Sequence, residues 1–369
     1  MTLTVQEEAP LAPLTTLGVG GPARWLIEAD DEGGLREALG FARSRGAVLH
    51  VLGGGSNLLV ADRGIDGVVL RARLRGITVT RTGAGRDARV LVRVGGGEPW
   101  DALVERATQE GWAGIECLSG IPGEVGATPI QNVGAYGQEV AETIVAVEAL
   151  DRGSGEAVTL SAAQCRFGYR DSAFKREVRG RYLVTAVTFA LTPGGAAAVR
   201  YPELRRALGE TAASPPLAEV RAVVLRLRRS KSMVLDPADE NGRSAGSFFM
   251  NPTLAAASFA AVRARVEAAG VLSAGESMPT FPGGEGRVKV PAAWLIERAG
   301  FAKGTTSGRA GISTKHALAL VNRGGATAEE LVALAVRIRG EVRARFGVAL
   351  LPEPDAWGFT AEELAALSG

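Results

Sequence analysis

The stretch SAGSFFMNP, Ser244 to Pro252, sets one serine hydroxyl, Ser247, between small residues and two phenylalanines. Aromatic neighbours can hold a hydroxyl dry and aimed, ready to give up a proton. They also make ordinary core, where a buried serine simply bonds to nearby backbone. A second stretch, LGGGSNLLV, offers other chemistry. Gly53, Gly54 and Gly55 come straight after an apolar strand pattern and before Ser56 and Asn57. Bare backbone N–H groups and two side-chain donors in such a turn suit phosphate oxygens, although glycines also make plain tight turns. The run is not G-x-G-x-x-G, and no G-K-[ST] follows, which disfavours a Rossmann or P-loop nucleotide site. A third region, Gly114 to Val140, holds Gly120, Gly123, Gly126, Gly134 and Gly137, with Pro122 and Pro129 fixing turns. It has no strong helix or strand period, and its apolar residues argue against disorder. A backbone wrapped around a flat cofactor accounts for both features.

Regular elements must position these loops. RWLIEAD, Arg24 to Asp30, alternates as a strand, and Leu35, Ala38, Leu39 and Ala42 then recur at helical spacing up to a stop at Gly46. AVLHVLGGGSNLLV follows as a buried strand running into the glycine loop, closing a strand–helix–strand unit of about fifty residues. From Gly67 to Ala190 valine-rich strands dominate, with a helix at PWDALVERATQEG. Later helices are expected at LAEVRAVVLRLRRSK, at AAASFAAVRARVEAAG and over Thr327 to Phe346. The last begins with a Thr327–Glu330 capping box and lines Leu331, Leu334, Ala335, Ile338 and Val342 on one face. Strands are expected at HALALVN and at the final VALLPEP, and a surface loop at GGEGR, Gly283 to Arg287. Boundaries fall near Gly67, Thr192 to Ala198 and Ala213 to Pro216.

Composition narrows the function classes. The 369 residues suffice for two or three domains, and 46% hydrophobic with 22% charged residues is ordinary for a globular protein. The net charge is +2 and the basic residues are scattered, so neither nucleic acid nor an anionic membrane is indicated. No run reaches the length of a membrane span, and the acidic N-terminal stretch does not read as a secretory signal. Cys117 and Cys165, far apart in the chain, are no disulfide framework and fit a reducing cytoplasm. With only His50 and His316 beside them, a metal centre is not expected.

LGGGSNLLV, SGIPGEVGATPIQNVGAYGQEV, FGYRDSAFK, AGSFFMNP and LLPEP occur in that order. Together they resemble the UDP-N-acetylenolpyruvoylglucosamine reductases over nearly the whole chain, Thr15 to Glu353. The resemblance implies an α+β fold: a two-part FAD-binding module of the vanillyl-alcohol-oxidase type and a smaller α/β substrate-binding domain. Residues 1–66 and 67–212 would form the two FAD-binding subdomains and 213–353 the substrate domain, with the tail 354–369 packing back on the first. It implies a cytoplasmic, monomeric flavoenzyme of peptidoglycan precursor synthesis with non-covalent FAD. NADPH reduces the flavin, whose N5 passes the hydride to the β-carbon of the enolpyruvyl ether of UDP-N-acetylglucosamine enolpyruvate. A serine then protonates the adjacent carbon to give UDP-N-acetylmuramate.

By the same resemblance, Ser247 is that proton donor. Arg170, with a planar fork of donors, holds the substrate carboxylate, and Glu353 acts with it on the developing enol. Tyr169, Tyr201, Lys231, Asn251 and His316 are the further substrate-binding candidates; Tyr201, in VRYPEL, marks the loop-containing type I. Gly53, Gly54, Gly55, Ser56 and Asn57 would take the FAD pyrophosphate. Ser119, Gly120, Gly126, Ala127, Thr128 and Ile130 would follow the flavin, largely by backbone. The chain departs from the family pattern in three places. Thr15-Thr16 stands where Asn-Thr is common, Met250 where many members carry lysine, and extra residues separate Lys231 from Ser247. Two other readings compete. One is a flavin-dependent oxidase or dehydrogenase of the same fold, often with covalent FAD; the other is an inactive nucleotide-sugar binding protein.

Overall fold

The computed structural model describes residues 3–369; Met1 and Thr2, the start of the expected first subdomain, lie outside the described residues. The chain divides into two compact units. The first gathers the chain up to Ala9, Ala23–Gly54 and Asp66–Leu235; the second gathers Pro10–Pro22, Gly55–Ile65 and Asp236–Gly369.

In the first unit a four-stranded sheet runs in the order Val5–Pro10, Pro22–Ala29, Ile65–Ala72, Val48–Leu52. Its last two strands are parallel, Val48 opposite Gly67, and the connection between them is the 53–64 segment, which holds the glycine turn and strand Leu58–Val60; helix Glu32–Ser44 links Pro22–Ala29 to Val48–Leu52. Leu35, Ala38, Leu39 and Ala42 of that helix are buried, as the spacing predicts, and Asp31 caps it by accepting from the Gly34 N–H at 2.8 Å. A second, antiparallel sheet runs Ala157–Ser161, Ile144–Asp151, Tyr182–Pro193, Arg89–Gly95, Ile77–Thr82. Its inward valines pack on helix Trp100–Gln109 through Trp100, Leu103 and Val104. The indole N–H of Trp100 donates to the Leu118 carbonyl at 3.1 Å, which pins the irregular region to the core.

That region, 114–140, is built of single turns: Glu116–Leu118, Val125–Ala127 and Thr128–Gln131, then a two-residue hairpin. Helix Leu217–Arg229 also belongs to the first unit. It buries Val220, Val223 and Val224 against Cys117, Leu204 and Leu208. The last crossing between units therefore falls after Leu235, beyond the expected boundary at 212/213.

The second unit is organised by helix Ala328–Phe346. Its capping box is present: Thr327 Oγ1 accepts from the Glu330 N–H, and Glu330 accepts from the Thr327 N–H. Leu331, Leu334, Ala335, Ile338 and Val342 are buried against helices Ala256–Ala268 and Ala292–Arg298 and strands Ala310–Ile312 and Leu320–Asn322. One expectation needs correction. VALLPEP forms no continuous strand; the ladder begins at Asp355–Trp357, parallel to Leu58–Val60, because Pro352 and Pro354 have no N–H to donate. GGEGR is a surface loop as expected, the largely exposed tip of a hairpin between Phe281–Pro282 and Val288–Lys289. Among the described residues no helix is long and apolar enough to cross a membrane.

Candidate active site

In the first unit, the glycine turn after strand Val48–Leu52 meets the 114–140 region. A Cβ on Gly54 would lie 2.7 Å from the Gly123 Cα, and Gly123 has φ +118°, so the two loops touch at glycines that side chains would disturb. A Cβ on Gly53 would meet only the tip of Glu124, at 3.4 Å. Burial pushes the Glu124 carboxyl up, opposed by Arg75, Arg71 and Arg73. Several candidate flavin contacts are already committed inside the chain. The Gly120 N–H donates to Asp101 at 2.6 Å, Gly126 N–H to the Gly96 carbonyl at 2.8 Å, and Ala127 N–H to the Glu124 carbonyl at 3.1 Å. The Ser119 and Thr128 hydroxyls donate to the Glu116 and Val125 carbonyls, and Ile130 O accepts from Ser172. These residues offer a ring close backbone approach rather than fresh donors.

Arg228 supplies what they lack. It follows Val220 and Val224 at four-residue spacing, so the helix that buries those valines carries its guanidinium inward. Its Nη2 donates to the Met233 carbonyl at 2.6 Å, while its Nε is shut off from solvent with no hydrogen-bond partner among the described residues. A Cβ on Gly120 would lie 3.5 Å from that Nε. Burial pulls the guanidinium down to about 10. A buried unpaired N–H is costly and marks a place for a polar group from outside the chain.

Arg170 sits in the same unit with left-handed backbone, φ +52°, in a turn where Gly168 and Asp171 exchange N–H···O bonds. Its Nη2 donates to the Gly134 carbonyl at 2.6 Å. Asn132, also left-handed, donates to the Gly168 carbonyl and to Glu139, tying this turn to the glycine region. Tyr169 is exposed, with the Arg170 guanidinium 5.7 Å from its ring centre. Tyr201 meets Tyr136 edge-on at 5.8 Å. Lys231 Nζ donates to both oxygens of Glu203, each at 2.7 Å. Glu116, fully buried, accepts from the Gly114 N–H, the Gln138 amide and the Ala198 N–H, at 2.7, 3.2 and 2.7 Å. One carboxylate thus joins the glycine region to the segment leading into Tyr201.

In the second unit, Ser247 is half-buried beside Phe248 and Phe249, two fully buried rings 5.2 Å apart. Its hydroxyl makes no hydrogen bond to any described residue, which removes the reading of a serine satisfied by local backbone. Gly246, at φ +73°, provides the turn that precedes it. The Glu353 segment lies alongside: Glu353 N–H donates to the Phe248 carbonyl at 2.9 Å, Phe249 bridges Pro352, and the Met250 N–H donates to the Leu351 carbonyl. Asn57 donates to the Glu353 carbonyl at 3.3 Å and accepts from the Asp355 N–H, so the Gly55–Asn57 end of the glycine turn is bonded to the same strip. A Cβ on Gly55 would run into the Leu14 carbonyl. Asn251 Oδ1 is used, accepting from the Ala292 N–H at the start of a helix; its amide N–H groups have no described acceptor. Ser56 and His316 are half-buried, and the His316 N–H donates to Ser313.

Within their units, the structure therefore brings Ser247, Glu353 and Asn57 onto one strip, sets Arg170 beside Tyr169, and ties Lys231 through Glu203 to the helix start at Tyr201. Sequence reasoning missed Arg228, Glu116 and Glu203. Arg228 was findable, as a charge on an otherwise apolar helix face. These residues fit an FAD: glycine turns for close approach, and an orphaned guanidinium N–H for a polar ring edge.

Comparison with known proteins agrees with that fit. Residues 23–161 match the model of an FAD binding domain, and residues 236–357 match the model described as UDP-N-acetylenolpyruvoylglucosamine reductase, C-terminal domain. The UDP-N-acetylenolpyruvoylglucosamine reductase of Thermobifida fusca is 50% identical over 98% of this chain and 100% of its own length. That of Streptomyces coelicolor is 51% identical over 95% of this chain and 90% of its own. The crystal structure of the UDP-N-acetylenolpyruvylglucosamine reductase from Thermus caldophilus superposes with a TM-score of 0.62 at 27% identity, covering 97% of this chain and 99% of that one.

Proposed function

Since the chain belongs to the UDP-N-acetylenolpyruvoylglucosamine reductase family, we propose that Arg170, Ser247 and Glu353 carry the second half of its reaction. The enzyme is an FAD-containing oxidoreductase of peptidoglycan synthesis that reduces UDP-N-acetylglucosamine enolpyruvate to UDP-N-acetylmuramate. Bound FAD supplies hydride transfer, with NADPH as the reductant. The residues above do the rest. Arg170 binds the enolpyruvyl carboxylate and spreads the charge that builds on it, for which a planar guanidinium is suited. Ser247 Oγ gives its proton to the carbon next to that carboxylate. A serine hydroxyl is a weak acid in water, but a dry setting beside two phenyl rings and a strongly basic carbon make it competent. Glu353, on the strip bonded to Phe248 and Met250 next to Ser247, polarises the same centre. The single observation that carries this reading is the uncommitted Ser247 hydroxyl beside the Glu353 strip.

FAD is held without a covalent bond. Both cysteine thiols are buried and raised, Cys117 to about 12 and Cys165 to about 11, chiefly by desolvation, which keeps them from acting as nucleophiles. Tyr169, Tyr201, Lys231, Asn251 and His316 take the nucleotide sugar. Residues 1–66 and 67–212 serve mainly FAD and 213–353 mainly substrate, with Arg228 joining the FAD side from helix Leu217–Arg229, and the protein works as a cytoplasmic monomer. The test is steady oxidation of NADPH by the purified yellow protein. It should require the enolpyruvyl nucleotide and yield UDP-N-acetylmuramate. A colourless protein, or oxidation that ignores the nucleotide, contradicts the reading.

A further inference from the structure

Lys231 enters the proposed function among the residues that take the nucleotide sugar, where its ammonium suits the diphosphate, yet the structure shows it holding an anion already. Its ammonium has three donors and no acceptor, and it spends two of them on the carboxylate of Glu203. Both side chains are about one-third exposed, 33% and 31%, so solvent and ligand can reach the pair. Neither is adrift. Lys231 sits in a tight turn closing helix Leu217–Arg229, where the Lys231 and Met233 N–H groups both donate to the Arg228 carbonyl. Glu203 lies in the first turn of helix Pro202–Leu208, whose N-cap is Tyr201. The charge of Glu203, after burial, also raises the Tyr201 phenol.

We propose that Glu203 is an internal stand-in for the diphosphate: its carboxylate occupies Lys231 when no nucleotide is bound and is displaced when a nucleoside diphosphate arrives. A diphosphate brings more negative charge and more acceptor oxygens than one carboxylate, so the exchange runs forward on binding. The tethered carboxylate is always present at high local concentration, so it competes with product and hastens release. Because Glu203 and Tyr201 share one helix start, giving up Lys231 also frees Tyr201 from its edge-on contact with Tyr136. The proposal rests on reading Lys231 as a phosphate-binding residue.

The test is calorimetric titration of UDP into the flavin-loaded protein at low salt. Glu203→Gln should tighten UDP by about three- to fivefold, the range set by the modest strength of a partly exposed ion pair. Lys231→Gln should weaken it. The double variant should match Lys231→Gln alone, because the glutamate acts only through the lysine. Glu203→Asp, which keeps the charge, should bind as the parent does. Weaker or unaltered binding by Glu203→Gln, or tightening that survives loss of Lys231, overturns the proposal. If Lys231→Gln leaves UDP binding unaltered, both the proposal and the phosphate role of Lys231 fail. NADPH oxidation by that variant then shows separately whether the enzymatic reading stands.

Discussion

Arg170 keeps a left-handed backbone conformation that a long side chain does not favour, at φ +52°. Such positions cost about 1–3 kcal/mol and persist where neighbours over-determine them. Here the Gly168–Asp171 turn, the bond to the Gly134 carbonyl and the Asn132 tie do so. Arg170→Lys should keep the charge and lose the planar fork. Reoxidation of the flavin by the enolpyruvyl nucleotide is expected to slow by about 10²-fold, the scale of losing an oriented charge-stabilising donor, while bleaching by NADPH continues. Equal slowing of both half-reactions would remove the assignment. The thiols make a second residue-level case. Cys117 and Cys165 should resist an alkylating reagent at neutral pH in the folded protein and react on unfolding; rapid modification of native protein would contradict their burial. Ser247, Arg170 and Glu353 are proposed from the sequence because they sit in local motifs whose order is distinctive. Glu203 and Glu116 are not, because each takes its meaning from a partner far along the chain: Glu203 from Lys231, and Glu116 from Ala198.

At the scale of elements, helix Ala328–Phe346 shows what a local pattern can carry. Thr327 and Glu330 announce its start, and the box is in place. Its first two N–H groups, of Ala328 and Glu329, donate instead to Asp62 at 2.9 and 3.0 Å, a cap that no window of sequence contains. Thr327→Ala and Asp62→Ala should each lower stability to chemical denaturation by about 1 kcal/mol, the usual cost of losing an N-cap. No change for Asp62→Ala would mean that water serves those N–H groups as well. Glu276 ties a loop to the end of helix Ala292–Arg298. It accepts from the Ser273 N–H at 3.0 Å and pairs with Arg298, and these bonds hold its carboxyl at about 2, below the usual 4.5. A depressed folded value gives stability that is full above the unfolded value and lost as pH falls through the folded one. The Glu276→Gln variant should therefore lose less stability than the parent between pH 4.5 and about 2, read by thermal midpoints. Parallel acid limbs would sink that assignment. VALLPEP read as a strand from its apolar residues, but its prolines cannot donate, and the ladder moved on to Asp355–Trp357. The 114–140 region gave no period because side-chain acceptors such as Glu116, rather than ladders, satisfy part of its backbone.

For the molecule as a whole, the α+β class and the FAD-binding part were readable from alternating elements and from glycine turns that lack a Rossmann pattern. The path of the chain was not. Pro10–Pro22 and Gly55–Ile65 leave the first unit to join the second, and helix Leu217–Arg229 stays behind. Hydrophobic periodicity says that an element buries a face; it does not say against which neighbour. The proposed mechanism turns on one transfer, a proton from Ser247 to the substrate carbon beside the carboxylate. Anaerobic stopped-flow of Ser247→Ala against the parent tests this most directly. The variant should be bleached by NADPH at nearly the parent's rate and then be reoxidised by the enolpyruvyl nucleotide about 10²-fold or more slowly. Reoxidation at the parent's rate would contradict the account.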